Sequence, residues 1–342
     1  MSFVAGSSWS TRRKAVVGVA VVVALAAVVL GAVLLRGDDE PAAPPATTTT
    51  RPPPIAPLTG LPSESEEAAA RCAVSVKIGN TADAHPQIGV SGADVVYEQV
   101  VDGGVTRLLA VYQSQAPDQV GSVRSVRPTD RFILWPLRGV FAYSGGNAYE
   151  LASLEGVPVV DLDEATAGDL MFRGPGVAPH NLFARVDGMY SRCTDPAPTP
   201  LFSYREPPAS PVGSPASAVT VGFGRGYDTA WEWDAEQGRW DRTIFAAPDL
   251  DPEGDRIGTE NVVVMEVAYV PDPTGNTLEA AMVGEGPVRV LTDGAVVEGT
   301  WRRPDLETAA ELVGADGRTL LLTPGTTWVE LLPSGNPVTV TP

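Results

Sequence analysis

The feature that most restricts this 342-residue chain is an apolar run over residues 15–35 that contains no charged side chain. A helix of this length spans about 30 Å, the thickness of the hydrocarbon core of a bilayer. Arg12, Arg13 and Lys14 precede the run, whereas acidic residues follow it closely. Because basic residues stay on the cytoplasmic side, we predict a membrane-spanning helix over 15–35, with a cytoplasmic tail over 1–14 and the bulk of the chain outside.

The alternative interpretation of this run is a cleaved signal peptide with a small-residue site at Ala24-Leu25-Ala26. Cleavage there would cut inside an apolar stretch that continues to Leu35, so we favour an uncleaved anchor. Residues 36–57 are rich in Pro and Thr and have no apolar period. They predict an extended linker between the membrane and a folded region.

The composition narrows the fold class and the possible partners. The 35 Gly and 32 Pro disfavour a helical bundle and favour strands and turns. A formal net charge of -18 argues against a general nucleic-acid-binding protein. Two Cys and two His are too few for a multi-Cys zinc module, and we predict neither a metal nor a cofactor. Outside the membrane, Cys72 and Cys193 are candidates for a disulfide, with two buried free thiols as the alternative.

From residue 71 onward, apolar residues alternate with period two, which is typical of β-strands. The first half also contains two helix-like stretches, 128–137 and 147–154, the second opened by Asn147 as a cap. The second half is dominated by strand-like runs, and Asp293-Gly294 predicts a tight hairpin between two of them. We therefore predict an α+β fold: a mixed α/β first domain (58–193), a Pro- and Ser-rich connecting loop (194–216) and a mostly antiparallel β second domain (217–342).

Positive charge is concentrated in one part of the first half. From Gly103 to Arg138 there are five Arg, no Lys and two acidic residues, although the chain as a whole is acidic. The planar guanidinium group binds carboxylate or phosphate through two parallel hydrogen bonds. We predict an anion-binding site formed by Arg107, Arg124 and Arg127. The alternative is that these arginines lie on a solvent-exposed surface and are balanced by Asp and Glu residues scattered along the chain.

Other polar residues are candidates for the same site. Ser125 and Asp130 lie in the same stretch, and Asn181 follows His180 in a loop. Both His residues, His85 and His180, are next to Pro, and a histidine side chain titrates near neutral pH. Tyr143 precedes a glycine turn that would let a ligand approach the backbone.

Glu98 is unusual because alternation places it on the same strand face as Val96 and Val100. A carboxylate on an apolar face must be paired or have a raised pKa. We predict Arg107, on the next strand, as its partner. One interpretation is a structural buried ion pair, and the other is catalysis in which Glu98 and His180 act as general acid and base.

Several motifs resemble the YerB-like family of bacterial proteins, which are described as lipoproteins and have no known function. The resemblance covers roughly residues 55–342, and it rests on these motifs: Asn80 with His85-Pro86-Gln87, ADVVYE (93–98), GGVTRLLAVYQS (103–114), GSVRSVR (121–127), YSGG (143–146) and PHNL (179–182). It implies an extracytoplasmic, envelope-associated protein with two domains. The chain departs from the family in its apolar anchor, where many relatives look lipid-anchored. It also has Gly79 where an acidic residue is expected before the Asn.

The leading functional hypothesis is a membrane-anchored extracytoplasmic protein that binds an anionic envelope ligand, such as a peptidoglycan or wall-polymer fragment, through the Arg-rich site. One alternative is an envelope hydrolase that uses Glu98 and His180. Another is a non-catalytic scaffold that recruits wall-associated proteins. In each case the membrane contact is made by residues 15–35, and nucleic acid is not an expected partner.

Overall fold

A computed structural model of the chain describes residues 52–206, 213–273, 275 and 277–342. The predicted cytoplasmic tail, the predicted membrane helix over 15–35 and most of the predicted linker lie outside the described residues. Within the described ranges, no helix has the length and apolar character needed to cross a bilayer. Residues 53–342 form one compact unit.

The α-helices of the described ranges are short: α1 (Glu66–Ala69), α2 (Asp130–Leu137), α3 (Ala148–Ala152) and α4 (Val186–Met189). Helices α2 and α3 lie within the two predicted helical stretches. Asn147 caps α3 as predicted, because its side chain accepts a hydrogen bond from the Glu150 backbone N–H. The Glu150 carboxylate accepts one from the Asn147 N–H in return, so both ends of this capping box are satisfied.

Most of the ordered structure is β-strand, which confirms the prediction of a strand-rich chain with few helices. The strands of the first half are β1 (Val74–Gly79), β2 (Val95–Val100), β3 (Thr106–Tyr112), β4 (Val120–Gly121), β5 (Val140–Ala142), β6 (Val160–Leu162), β7 (Met171–Arg173), β8 (Leu182–Ala184) and β9 (Ser203–Tyr204). Those of the second half are β10 (Ser214–Pro215), β11 (Ala218–Val221), β12 (Thr229–Asp234), β13 (Arg239–Ile244), β14 (Ala247–Pro248), β15 (Gly258–Thr259), β16 (Asn261–Pro271), β17 (Leu278–Ala281), β18 (Gly284–Thr292), β19 (Ala295–Arg303), β20 (Glu311–Gly314), β21 (Leu321–Leu322), β22 (Thr327–Pro333) and β23 (Val338–Thr341).

One large sheet runs through both halves of the sequence. Its strand order is β10-β19-β18-β16-β22-β2-β3-β1-β5-β6, with β17 beside β16 and β20 beside β19. At its centre β2 pairs in parallel with β22, and Glu98 lies opposite Glu330. The two regions predicted as separate domains therefore contribute neighbouring strands to the same sheet.

Each face of the large sheet is covered by a different layer. A second sheet, ordered β14-β13-β12-β11-β23, covers one face, where Trp231 of β12 packs edge-on against Trp328 of β22. The opposite face packs against α2 and includes Tyr97, Leu109 and Val329. Polar side chains at the end of β1 to β3 are thus enclosed between layers on both faces.

The predicted hairpin at Asp293-Gly294 is confirmed. Strands β18 and β19 pair up to Thr292 and Ala295, which leaves these two residues as the loop. Both have positive φ, 50° for Asp293 and 68° for Gly294, as the favoured two-residue hairpin turn requires.

Cys72 and Cys193 are joined in a disulfide, with their Cα atoms 5.9 Å apart. The bond connects positions separated by 121 residues and links the start of β1 to the segment after α4. A cross-link that closes so long a loop restricts the unfolded chain strongly.

Replacing both cysteines, Cys72→Ala with Cys193→Ala, should lower the free energy of unfolding by about 2–5 kcal/mol, because the unfolded chain regains the entropy that the cross-link removes. Urea titration of the oxidised protein followed by far-UV circular dichroism measures the change. Val177→Ala, at an exposed position, is the matched control and should shift the value by less than about 0.5 kcal/mol. A double variant as stable as the wild type would contradict this account of the disulfide.

Candidate functional site

The segment 121–127 lies across the end of β1 and is held by backbone hydrogen bonds on both sides. On one side the bonds are Arg124 N to Lys77 O (2.8 Å) and Gly79 N to Ser122 O (3.0 Å); on the other they are Ser144 N to Arg124 O (3.0 Å) and Val126 N to Gly145 O (3.0 Å). The side chain of Arg124 passes directly over Gly79, where a Cβ atom would come within 3.0 Å of its Cγ. The backbone that carries Arg124 and Arg127 is therefore fixed before any ligand arrives.

Arg107, Arg124 and Arg127 lie close together and are called the arginine cluster below. Arg107 donates to the Ser125 carbonyl (2.9 Å) and Arg124 to the Pro179 carbonyl (3.3 Å). Arg127 forms ion pairs with Asp102 and with Glu150, the latter at 3.1 Å. Within the described ranges, neither Arg107 nor Arg124 forms an ion pair with a carboxylate.

The three guanidinium groups repel one another. Burial lowers the pKa of Arg107 to about 10; the neighbouring charges of Arg127 and Arg124 act in the same direction, and the carboxylates of Asp102 and Asp130 oppose them. Burial and the charge of Arg127 also lower the pKa of Arg124. An anion placed between the guanidinium groups would relieve this repulsion.

Asp130 stabilises the backbone segment that carries the arginine cluster. One of its oxygens accepts from Lys77 Nζ (2.7 Å) and Gln99 Nε2 (2.6 Å), and the other accepts from the Arg127 backbone N–H (2.7 Å). Burial lowers the pKa of Lys77 to about 8, opposed by the Asp130 carboxylate. Asp130 is fully buried and both of its oxygens accept hydrogen bonds from the protein, so the structure gives it a role in holding the Arg127 backbone in place, and its contact with a ligand stays a prediction.

The loop between β7 and β8 contacts the cluster through the Pro179 carbonyl. The neighbouring His180 has a buried Nδ1 with no hydrogen-bond partner among the described residues. Asn181 accepts instead from Arg173 (2.9 Å), which forms an ion pair with Glu164 (2.6 Å). Nothing in the described part of the chain joins Asn181 to the arginine cluster by a hydrogen bond.

The remaining candidates lie elsewhere. Tyr143 stacks on Phe141 in the core, and burial together with the nearby Asp161 carboxylate raises its pKa. Arg131 pairs with Glu279, and Arg138 is exposed and 3.9 Å from Asp195. Three of the five arginines between residues 103 and 138 therefore converge.

Glu98 lies on the other face of the same strands and is fully buried. One oxygen accepts from Asn80 Nδ2 (2.9 Å) and Thr106 Oγ1 (2.7 Å), and the other from Arg242 (2.6 Å). The predicted partner, Arg107, is wrong. In the antiparallel pairing of β2 with β3, Arg107 lies opposite Gln99, so its side chain is on the face opposite to Glu98.

His85 belongs to this second group of residues. Its Nδ1 is 3.0 Å from Asp249 and its Nε2 is 3.1 Å from Asn80. Asp249 also forms an ion pair with Arg242, and Arg242 with the carboxylate of Glu98. We call Glu98, Asn80, His85, Arg242 and Asp249 the Glu98 network. Within the described ranges, no hydrogen bond or ion pair joins His85 to the arginine cluster, to which the sequence analysis assigned it.

The Glu98 network does not suit the predicted acid–base chemistry. Both oxygens of Glu98 are occupied and closed off from solvent, and no hydrogen bond in the described ranges joins Glu98 to His180. Among the described residues, no group of His, Cys, Asp and Glu is arranged to hold a metal ion. The network is an internal set of ion pairs between the two sheets.

Glu330 adjoins this network and was missed by sequence reasoning. It accepts hydrogen bonds from Thr229 (3.0 Å) and Trp231 (2.9 Å), while its second oxygen has no partner among the described residues. Burial and the charge of Glu98 raise its pKa to about 8. The signal was present, because Glu330 interrupts an apolar strand as Glu98 does.

The comparisons with known proteins agree with this architecture. A family model described as the N-terminal domain of a protein of unknown function (DUF3048) matches residues 58–197, and the model of its C-terminal domain matches residues 219–329. The chain is 27 % identical over 297 residues to a protein named putative lipoprotein YerB from Bacillus subtilis (strain 168). The aligned region covers 81 % of this chain and 86 % of the relative. The chain belongs to this YerB-like family of unknown function.

The resemblance drawn from the sequence motifs is thereby confirmed. The crystal structure of YerB protein from Bacillus subtilis superposes with a TM-score of 0.72 at 24 % identity and covers 83 % of this chain and 99 % of that one. At this identity the likeness shows a shared fold and nothing about a ligand.

The pH dependence of stability should report on Glu330. Its pKa rises from 4.5 to about 8 on folding, so the folded state binds the proton more tightly. The free energy of unfolding should therefore fall as pH rises from about 5 to about 8, and Glu330→Gln should remove this part of the slope. Urea titrations across that range measure it, with the exposed Glu307→Gln as control. An unchanged slope in the Glu330 variant would contradict the assignment.

The Glu98 network should be sensitive to loss of its cation. Arg242→Leu leaves the buried carboxylates of Glu98 and Asp249 without a counter-ion, and we expect a loss of at least about 3–5 kcal/mol in the free energy of unfolding. Arg318→Leu, at an exposed arginine, is the control and should change it by less than about 0.5 kcal/mol. Thermal and urea unfolding measure both variants, and similar losses in the two would sink the interpretation.

Proposed function

We propose that this protein is an envelope-associated protein whose arginine cluster binds an anionic ligand outside the cytoplasmic membrane. The observation that carries the proposal is the state of Arg107 and Arg124. Both are half-buried, both lie within the field of Arg127, and neither forms an ion pair with a carboxylate in the described ranges. By contrast, the fully buried Arg242 forms ion pairs with two acidic partners, Glu98 and Asp249.

Three observations support the location. The relative from Bacillus subtilis is named a putative lipoprotein, which favours attachment to a membrane. The apolar run over 15–35 would supply a single-pass anchor in this chain, with the N-terminus inside. The disulfide between Cys72 and Cys193 suits an oxidising compartment outside the cytoplasm.

The geometry of the cluster favours a carboxylate or a phosphate as the bound group. A guanidinium group binds the oxygens of such a group through two parallel donors, and among the described residues the hydrogen bonds of Arg107 and Arg124 use only Nη1 of each. Ser125, which lies between Arg124 and Arg127 in the chain, has a hydroxyl without a hydrogen-bond partner in the described part of the protein and is half-buried. We propose that the ligand is an acidic fragment of the envelope, either a peptidoglycan carboxylate or the phosphate of a wall polymer.

The hydrolase alternative receives no support from the geometry of Glu98, whose oxygens are both occupied. The scaffold alternative differs from the proposal in the role of the arginine cluster. A protein partner that binds elsewhere on the surface would not need these arginines.

The test is a calorimetric titration of the full-length protein in neutral detergent at low salt. Muropeptides serve as the carboxylate probe, and short poly(glycerol phosphate) serves as the phosphate probe. Arg107→Gln combined with Arg124→Gln should weaken binding at least about tenfold, because each substitution removes hydrogen bonds to a charged group. Binding by the wild type should also weaken with added salt.

Arg138→Gln is the matched control, because Arg138 belongs to the same sequence stretch but is exposed and outside the cluster. It should bind both probes as the wild type does. Equal affinities of the wild type and the double variant, or no saturable binding of either probe, would refute the proposal.

A further inference from the structure

A cavity lies on the face of the large sheet opposite the Glu98 network. Its inner part is tight, with a volume of about 20 Å³, and lies between α2 and the sheet, against Phe132, Ile133, Met265 and Met282. Its outer part is larger, about 240 Å³, and opens past Ser203 and Glu311. Leu201, Phe202, Ala309 and Leu312 line both parts, so the two parts adjoin each other at these side chains.

Two polar side chains lie in the inner part of this apolar space. Arg303 is almost fully buried; its Nε donates to the Asp305 carbonyl (3.0 Å) and its NH2 group donates to the Leu306 carbonyl (2.6 Å). Within the described ranges no carboxylate lies within ion-pair distance of it; burial lowers its pKa, and the nearby Tyr97 and Asp305 oppose that shift only in part. Tyr97 also lines the inner part, close enough to interact electrostatically with Arg303, and its hydroxyl has no hydrogen-bond partner among the described residues.

A buried cation without a counter-ion is costly, since carbonyl oxygens solvate it without neutralising its charge. The inner part of the cavity, which Arg303 lines, has room for a group somewhat larger than a water molecule, such as the oxygens of an anionic group. An apolar pocket in which a few polar groups converge is the usual form of a small-molecule site. The buried arginine and the apolar walls together indicate a ligand with one anionic end and an apolar body.

We propose that this cavity binds an aliphatic carboxylic acid, with the carboxylate on Arg303 and Tyr97 and the hydrocarbon chain extending outward between Leu201 and Leu312. The site is separate from the arginine cluster, and the proposal does not depend on the function proposed above. The unbranched flexible side chains of Met265 and Met282 are suited to packing against such a chain.

The walls favour a hydrocarbon chain over a peptide. A bound peptide needs partners for each buried amide group. Between Arg303 and the opening, the walls shared by both parts are the side chains of Leu, Phe and Ala, and polar side chains appear again at the outer rim. A polymethylene chain has no polar groups to satisfy along this path.

The experiment is a titration of the full-length protein with decanoate below its critical micelle concentration, followed by calorimetry and by two-dimensional NMR of methionine methyl groups. We expect saturable binding that shifts the Met265 and Met282 signals. Tyr97→Phe, which removes one hydroxyl and keeps the ring, should weaken binding about tenfold. Ala309→Trp, which fills the channel shared by both parts, should abolish binding.

The controls separate the parts of the proposal. Decanol has the same chain without the charge and should bind at least about tenfold more weakly than decanoate. Arg107→Gln with Arg124→Gln should bind decanoate as the wild type does, so failure at one site is distinguishable from failure at the other. Leu321→Trp, at an exposed position, is the matched control for Ala309→Trp.

Three results would each overturn the proposal: no saturable binding of decanoate, equal affinity for decanoate and decanol, or unchanged binding by Ala309→Trp. Binding of a short peptide with an apolar C-terminal residue in place of decanoate would assign the cavity to a different class of ligand and would also overturn it.

Discussion

The fold depends on one buried guanidinium group. Arg242, on β13 of the second sheet, forms ion pairs with Glu98 on β2 and with Asp249, and its guanidinium lies 4.5 Å from the ring centre of Trp328. Glu98 and Glu330 face each other where the strands of the two sequence halves pair in the middle of the large sheet. Without a cation there, the Glu98 carboxylate would be buried beside the Glu330 carboxyl group without a counter-ion, at a cost of several kcal/mol. Arg242 makes that pairing possible.

The same three strands, β1 to β3, carry charged groups on both faces at one end, and the two faces differ in charge balance. In the Glu98 network the buried cation, Arg242, is matched by the carboxylates of Glu98 and Asp249. In the arginine cluster, Asp130 accepts hydrogen bonds from Lys77 and from the Arg127 backbone N–H. The Arg127 side chain forms ion pairs with Asp102 and Glu150. Among the residues that the structure describes, Arg107 and Arg124 form no ion pair with a carboxylate. The same criterion, a buried or half-buried arginine without an ion pair in that part of the chain, singles out Arg303 in the apolar cavity.

Local patterns predicted local structure well. Period-two alternation located β2 and β3, the Asn147 capping signal located α3, and Asp293-Gly294 located the hairpin between β18 and β19. Alternation also showed correctly that Glu98 is buried. It failed for the partner of Glu98, because alternation fixes faces within one strand and says nothing about the register between strands. A shift of one residue in register moves every side chain to the other face.

The sequence by itself determined the family, the dominance of β-strand and the concentration of arginines between residues 103 and 138, because these depend on residues near one another in the chain. Only the tertiary structure decided which charges are matched. Glu98 and Arg242 are 144 positions apart, and Arg131 pairs with Glu279 at 148. An arginine can bind an anionic ligand only where no carboxylate of the protein already pairs with it. Those carboxylates are distant in the sequence, and they come close to the arginine only when the two halves of the chain form one sheet.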